Sequence, residues 1–209
     1  MKLYQFSLSP NCQKVVALAH EVGLRLDLVN VELFKGEAKA PAMLAKNPNG
    51  KVPILEDGDF LLWESNAMLS YLATKANRTD LAPTAPQERA DVERWMAWGL
   101  AHFAPAIRKV AFERIVKKLG GLGAPDDALV RAGTEEFAVW AKVLDQSLSG
   151  KDYVCGALTI ADFSLATYAA LTASCGLDFG PYPRAKAWVE RMTARDSMKQ
   201  TLMAAREAA

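Results

Sequence analysis

The stretch from Gly50 to Ser65 restricts this chain more than any other. Gly50-Lys51-Val52-Pro53-Ile54-Leu55 leads into Asp57-Gly58 and then into Phe60-Leu61-Leu62-Trp63-Glu64-Ser65. Two apolar runs flanking an Asp-Gly turn predict an antiparallel hairpin. Pro53 has no N–H to give to a ladder, so it belongs at a strand start or a sheet edge. The residue before a proline is held extended, which leaves the backbone amide and carbonyl of Val52 able to pair with something outside the sheet. A cis Val52–Pro53 bond is the expected form of so tight a turn. Glu64 and Ser65 then open an amphipathic helix, where unpaired amides and the helix dipole favour an anion. An extended backbone and an anion-ready helix start, joined by one hairpin, suit a peptide-like ligand bearing a carboxylate.

The surrounding pattern changes character once. Leu3–Phe6 alternates as a short strand, and Asn11–Val22 has helical periodicity through Val15, Val16, Leu18, Ala19 and Val22. Gly23 ends that helix, and Leu26–Val31 alternates again. A loop around Lys35-Gly36-Glu37 precedes a short helix near Pro41–Lys46, and a further helix runs from Ser65 to about Lys75. The order is βαβαββα, with the first two strands parallel and the last two antiparallel. Residues 1–77 therefore form an α/β domain and 78–86, with Ala82-Pro83-Thr84-Ala85-Pro86, a linker. Residues 87–209 read as all-helical, in helices near 87–117, 126–148, 160–174, 183–194 and 196–207. Thr159 and Asp162 have capping-box spacing at the mouth of an Ala-rich helix, a structural device for a buried element.

Composition excludes more than it selects. The net charge of +1 offers no field for nucleic acid or an acidic membrane, and no run of about 20 apolar residues is present to span a bilayer. The N-terminus lacks the charged lead and apolar stretch of a signal peptide. Cys12, Cys155 and Cys175 are odd in number and widely spaced, which argues against a disulfide framework and for a reducing cytoplasm. His20 and His102 join no ligand cluster, so no metal is expected.

Taken together, the Val52-Pro53 pair, the Glu64-Ser65 pair and the Thr159-Ile160-Ala161-Asp162 box resemble those of glutathione transferases over nearly the full chain. The resemblance implies a thioredoxin-like N-terminal domain with a mixed sheet and a helical-bundle C-terminal domain that contributes an electrophile pocket. Leu8-Ser9-Pro10-Asn11-Cys12-Gln13-Lys14-Val15 is most similar to the serine-type classes, such as theta, phi and zeta, a pattern shared by bacterial and plant branches. Gly36–Pro41 and Asn47–Lys51 resemble phi-type loops, with Ala38 where phi enzymes commonly carry histidine.

That resemblance implies roles residue by residue. Ser9, before the first helix, would donate to the sulfur of glutathione, where a helix start favours a thiolate; the plainer reading is a helix-entry turn, Ser-Pro being a common cap and first residue. Glu64 would accept from the γ-glutamyl ammonium while Ser65 and the helix amides hold the carboxylate, although capping alone also accounts for Ser65. Val52 would pair its backbone with the cysteinyl unit beside Pro53. Lys39 and Lys51 would meet the glycyl carboxylate, or be solvated loop lysines. Leu8, His102 and Phe103 are expected at the electrophile pocket, although aromatic stripes are usually core. Cys12 reads as a small buried residue, because serine in the first slot leaves no dithiol pair. Pro105 should kink the long helix.

The function implied is attack of a glutathione thiolate on a small, mostly apolar electrophile, by a cytoplasmic homodimer without metal. In that dimer the start of the Ser65 helix is expected near the partner's long 87–114 helix, because Met68, Leu69, Tyr71, Leu72, Trp95, Met96 and Trp98 are too many apolar groups for one face. The alternatives are a non-catalytic interaction module of the same fold, or glutathione-dependent isomerase, dehalogenase or peroxidase chemistry.

Overall fold

The structure, a computed structural model, describes residues 1–207 and divides into two compact units. One comprises Met1–Ala82 with the segment from Arg195 onward, the other Pro83–Ala194.

The first unit is built on a four-stranded sheet in the order β2-β1-β3-β4, from β1 (Lys2–Gln5), β2 (Asp27–Asn30), β3 (Ile54–Asp57) and β4 (Phe60–Trp63). β1 pairs with β2 in parallel and with β3 antiparallel, and β3 and β4 form the expected hairpin, turning at Gly58 with φ 61°. Leu3 lies opposite Leu55, and both are fully buried. Helix α1 (Pro10–Glu21) begins on Pro10, whose fixed φ suits a first helical position. It closes in a Schellman motif: Gly23, at φ 70°, donates to the His20 carbonyl at 3.2 Å and Leu24 to Ala19 at 2.9 Å. After the short α2 (Pro41–Leu44) and the hairpin, α3 (Ser65–Lys75) packs against α1. Met68, Leu69 and Leu72 are fully buried there.

The second unit is helical: α4 (Pro86–Trp98), α5 (Ala104–Ala111), α6 (Lys117–Gly120), α7 (Asp127–Ser147), α8 (Ile160–Cys175) and α9 (Pro183–Thr193). The long helix expected over 87–117 is present, but π-turns at Gly99–Phe103 and Phe112–Val116 interrupt it. Pro105 lacks the N–H that would bond one turn back, and the ladder widens just before it. Gly99 lies in that π-turn, where a Cβ would come within 2.5 Å of Leu165 on α8, so this close approach requires glycine. α8 is enclosed over most of its length, as its alanines suggested.

Two expectations are corrected. The last helix, α10 (Asp196–Glu207), groups with the first unit rather than with the bundle, because it packs along α1. Glu21 on α1 accepts from Arg195 and, at 2.6 Å, from the Ser197 hydroxyl. The apolar residues offered as a dimer face are largely core: Met68, Leu69 and Leu72 are fully buried, Trp95 is 5% exposed and Met96 8%. Helical periodicity groups residues on a face but does not say what covers it.

Thr159 and Asp162 form the expected capping box, and Asp162 does more. With no exposed surface, its carboxylate accepts from the Thr159 amide at 2.9 Å, the Val154 amide at 3.1 Å and the Trp188 indole at 2.9 Å. The Thr159 hydroxyl also donates to it, at 3.3 Å, so removing the acceptor strands four buried donors and Asp162→Ala should destabilise the protein by about 3–5 kcal/mol. Urea unfolding followed by tryptophan fluorescence checks this; a loss below 1 kcal/mol (an order-of-magnitude threshold, roughly one ordinary hydrogen bond) would refute it.

Candidate functional site

Strand register brings the singled-out residues of the first unit to one end of its sheet. Gln5 is opposite Asn30, Tyr4 opposite Ile54, and Ile54 opposite Trp63. The chain therefore leaves β1 toward Ser9, enters β3 from Val52-Pro53, and leaves β4 into Glu64-Ser65, all at that same end.

Ser9 is the N-cap of α1, at φ −78° and ψ 119°. Its carbonyl accepts from the amides of Cys12 and Gln13, both at 2.9 Å, yet its hydroxyl makes no capping bond. That hydroxyl lies at the Cys12 thiol. Leu8, just before it, is half-buried. Cys12 is fully buried, accepts from the Phe6 amide at 3.4 Å, and has its thiol pushed up to about 11 by burial. It behaves as the small buried residue expected.

The start of α3 is held by α1. Ser65, 5% exposed, donates from its hydroxyl to Asn11 Oδ1 at 3.3 Å, and Lys14 Nζ donates to Asn66 Oδ1 at 3.2 Å. Glu64 is exposed and sits at φ 73°, one of two non-glycine residues at positive φ among the described residues. That conformation is costly for a side-chain-bearing residue, and such outliers concentrate where a side chain must be aimed.

On the third approach, the Val52–Pro53 bond is cis. No hydrogen bond ties the Val52 amide or carbonyl within the described residues. The preceding loop is organised by Asn47, 3% exposed, which donates to the Lys51 carbonyl at 2.8 Å and accepts from the Asn49 amide at 3.0 Å. Gly50, at φ 60°, leaves room for the neighbouring loop: a Cβ there would lie 3.4 Å from Lys39 Cγ. Lys39 and Lys51 are thus on adjoining loops, both exposed, and Ala38 beside them is buried.

The two residues expected from the bundle behave differently. Phe103 has no exposed surface and packs among Trp98, Phe137 and Phe179, with ring centroids 5.4, 6.4 and 6.5 Å away. Its surface is spent in the bundle's own core. His102 is exposed and lies over Trp140 at 4.6 Å. Sequence reasoning placed Asn11, Lys14 and Asn47 within stretches that resemble the family but did not give them these hydrogen-bonding tasks; their signal was polar side chains within otherwise apolar or turn segments. Among the described residues no group of three His, Cys, Asp or Glu side chains could hold a metal ion, and no helix is long and apolar enough to cross a membrane.

Comparison with known proteins matches this architecture over both units. Residues 3–80 match the family "Glutathione S-transferase, N-terminal domain" and 103–196 "Glutathione S-transferase, C-terminal domain". Glutathione S-transferase 3 of Zea mays is 37% identical across 98% of this chain and 94% of its own. The chain belongs to the glutathione S-transferase family. The crystal structure of glutathione transferase F7 from Populus trichocarpa superposes with a TM-score of 0.89 at 32% identity, covering 97% of each chain. Glutathione S-transferase I from maize, in complex with an atrazine glutathione conjugate, superposes at 0.91 with 26% identity, over 100% of this chain and 99% of its own. The resemblance to glutathione transferases and the thioredoxin-like fold with a helical bundle therefore stand.

In this family member all three cysteines have thiols raised by burial, Cys12 and Cys175 to about 11 and Cys155 to about 12. At pH 8 the native protein should show no fast-reacting thiol with Ellman's reagent, and three after denaturation. A stoichiometric fast phase in the native protein would contradict this.

Proposed function

We propose that this chain is a glutathione transferase that uses Ser9 to hold the glutathione sulfur as a thiolate for attack on a small, apolar electrophile, a detoxifying conjugation. The observation that carries the reading is the convergence at one sheet end of a serine hydroxyl not used as a cap, the unpaired Val52 backbone and the α3 start. Each matches one part of the tripeptide: thiol, cysteinyl backbone and γ-glutamyl zwitterion. The Ser9 O–H donates to the sulfur, and the α1 amides beyond it add positive potential, so the thiol gives up its proton to solvent more readily. Glu64 accepts from the ammonium, while Ser65 and the first α3 amides receive the carboxylate. Lys39 and Lys51, brought onto adjoining loops around Gly50, face the glycyl carboxylate.

We place this activity in the cytoplasm, since all three cysteines are unpaired. We also propose a homodimer, moving its support from α3 and α4 to the edge strand β4. There Phe60 is 48% exposed, Leu61 39% and Trp63 41%, an apolar strip that a second copy would cover.

Ser9→Ala should leave glutathione affinity largely intact, raise the pKa of the bound thiol and lower turnover near neutral pH. One lost bond to a charged acceptor is worth about 1.5–3 kcal/mol, or roughly 10- to 100-fold in rate where chemistry limits. Ultraviolet titration of bound glutathione, with turnover of a chloronitrobenzene substrate, tests it. An unchanged thiol pKa together with unchanged turnover would remove Ser9 from the role, and absence of conjugation by the wild type would favour the interaction-module reading. Ser65→Ala should instead weaken glutathione binding by about 5- to 50-fold while the bound complex still turns over. Calorimetry separates the two, and a pure loss of turnover in Ser65→Ala would overturn its assignment.

A further inference from the structure

Lys14 is among the largest fully enclosed side chains in the molecule, at 1% exposure, and it is a cation. It lies on α1 two residues after Cys12 and just before Val15 and Val16, all three buried. Its ammonium crosses to α3 and donates to Asn66 Oδ1 at 3.2 Å, next to Ser65, which Asn11 on the same turn of α1 engages at 3.3 Å. α1 thus grips the start of α3 twice, with Glu64 exposed just before that grip at positive φ. A buried, unneutralised ammonium costs stability unless opposite charge compensates its lost hydration. Here the opposite charge is the Glu64 carboxylate, the group assigned above to the ligand's ammonium.

We infer that charged Lys14 is a positioning residue for the γ-glutamyl subsite: its ammonium holds the Glu64–Ser65–Asn66 corner in the form that accepts glutathione, so that binding requires one proton on Lys14. The inference rests on the glutathione reading. Burial lowers the Lys14 ammonium to about 7, against the opposing pull of Glu64 and a smaller one from Cys12. The other charged groups around α1 are engaged elsewhere. Arg195 of α10 pairs with Glu21 at the far end of α1, and Lys75 of α3 with Asp57. On the sheet, Lys2 and Lys46 pair with Glu56, to which Tyr4 also donates. His20 is exposed near the C-terminal end of α1. Below neutral pH Lys14 is charged and the corner is held. As pH rises through 7 it gives its proton to solvent and the hold on Glu64 is lost, so affinity falls with pH.

The test is calorimetry with S-methylglutathione, which has no ionisable thiol, on wild type, Lys14→Arg and Lys14→Met at pH 6.5 and 8. Wild-type affinity should fall about five- to tenfold over that range, as single-proton linkage requires. Lys14→Arg, which stays charged, should bind with a nearly flat profile, and its profile also subtracts titration of the ligand's own amine. Lys14→Met should bind about tenfold or more weakly than wild type at pH 6.5 and show no fall of its own. A wild-type profile as flat as that of Lys14→Arg overturns the inference, as does wild-type affinity in Lys14→Met at pH 6.5. If wild type binds no S-methylglutathione at either pH, the glutathione reading fails and this inference fails with it; a pH-flat binder defeats the inference alone.

Discussion

The pairing of Leu3 with Leu55, and of Leu55 with Leu62, sets the register on which the candidate site depends. Side chains alternate across a strand, so a slip of one residue would turn Leu3 and Leu55 out of the core and drive Tyr4 and Glu56 into it. Tyr4 and Glu56 are instead joined on the polar side by a 3.1 Å hydrogen bond, with Lys2 and Lys46 beside them. The arrangement is penalised from both faces if it shifts. With this register the ends of β1 and β4 and the start of β3 coincide, so three loops remote in sequence open at one place. Neither the Ser9 hydroxyl nor the start of α3 has to be brought there by a long loop.

How much of this could be read from the chain follows from the range of the signals. Pro10, Gly23, the Asp57-Gly58 turn and the Thr159/Asp162 box act on their own neighbours, and each marked its element correctly. The candidate site residues of the first unit were legible for the same reason, since Ser9, Val52-Pro53 and Glu64-Ser65 stand at element boundaries where polar groups and proline have few purely structural uses. What failed depended on which surface covers which. Met68, Leu69 and Leu72 looked like surplus apolar surface and are core because α3 lies on α1. Phe103 looked available for a pocket and is enclosed by Trp98, Phe137 and Phe179, drawn from parts of the bundle far apart in sequence. α10 reads in sequence as one more helix of the bundle, yet it pairs with Glu21, and no periodicity could reveal a contact between residues 21 and 195.

Lys14 and Asp162 show why a buried charge must be judged by its neighbours. Both are enclosed, and burial opposes the charge of each, lowering the lysine and raising the aspartate. The groups around Asp162 are two backbone amides, the Thr159 hydroxyl and the Trp188 indole, which fasten the start of α8 to the preceding segment and to α9. None of them has another visible task, and a capped, cross-linked helix start explains the residue completely. Lys14 is different because its neighbours, Glu64, Ser65 and Asn66, form the corner assigned to the ligand. A methionine of similar length could fill the same space without the cost of dehydrating an ammonium, and replacing buried charges by apolar groups often stabilises a fold. Stability alone therefore gives no reason for a lysine there. A role for its charge at the adjoining subsite does, and it makes local destabilisation part of the site's design rather than a defect in the packing.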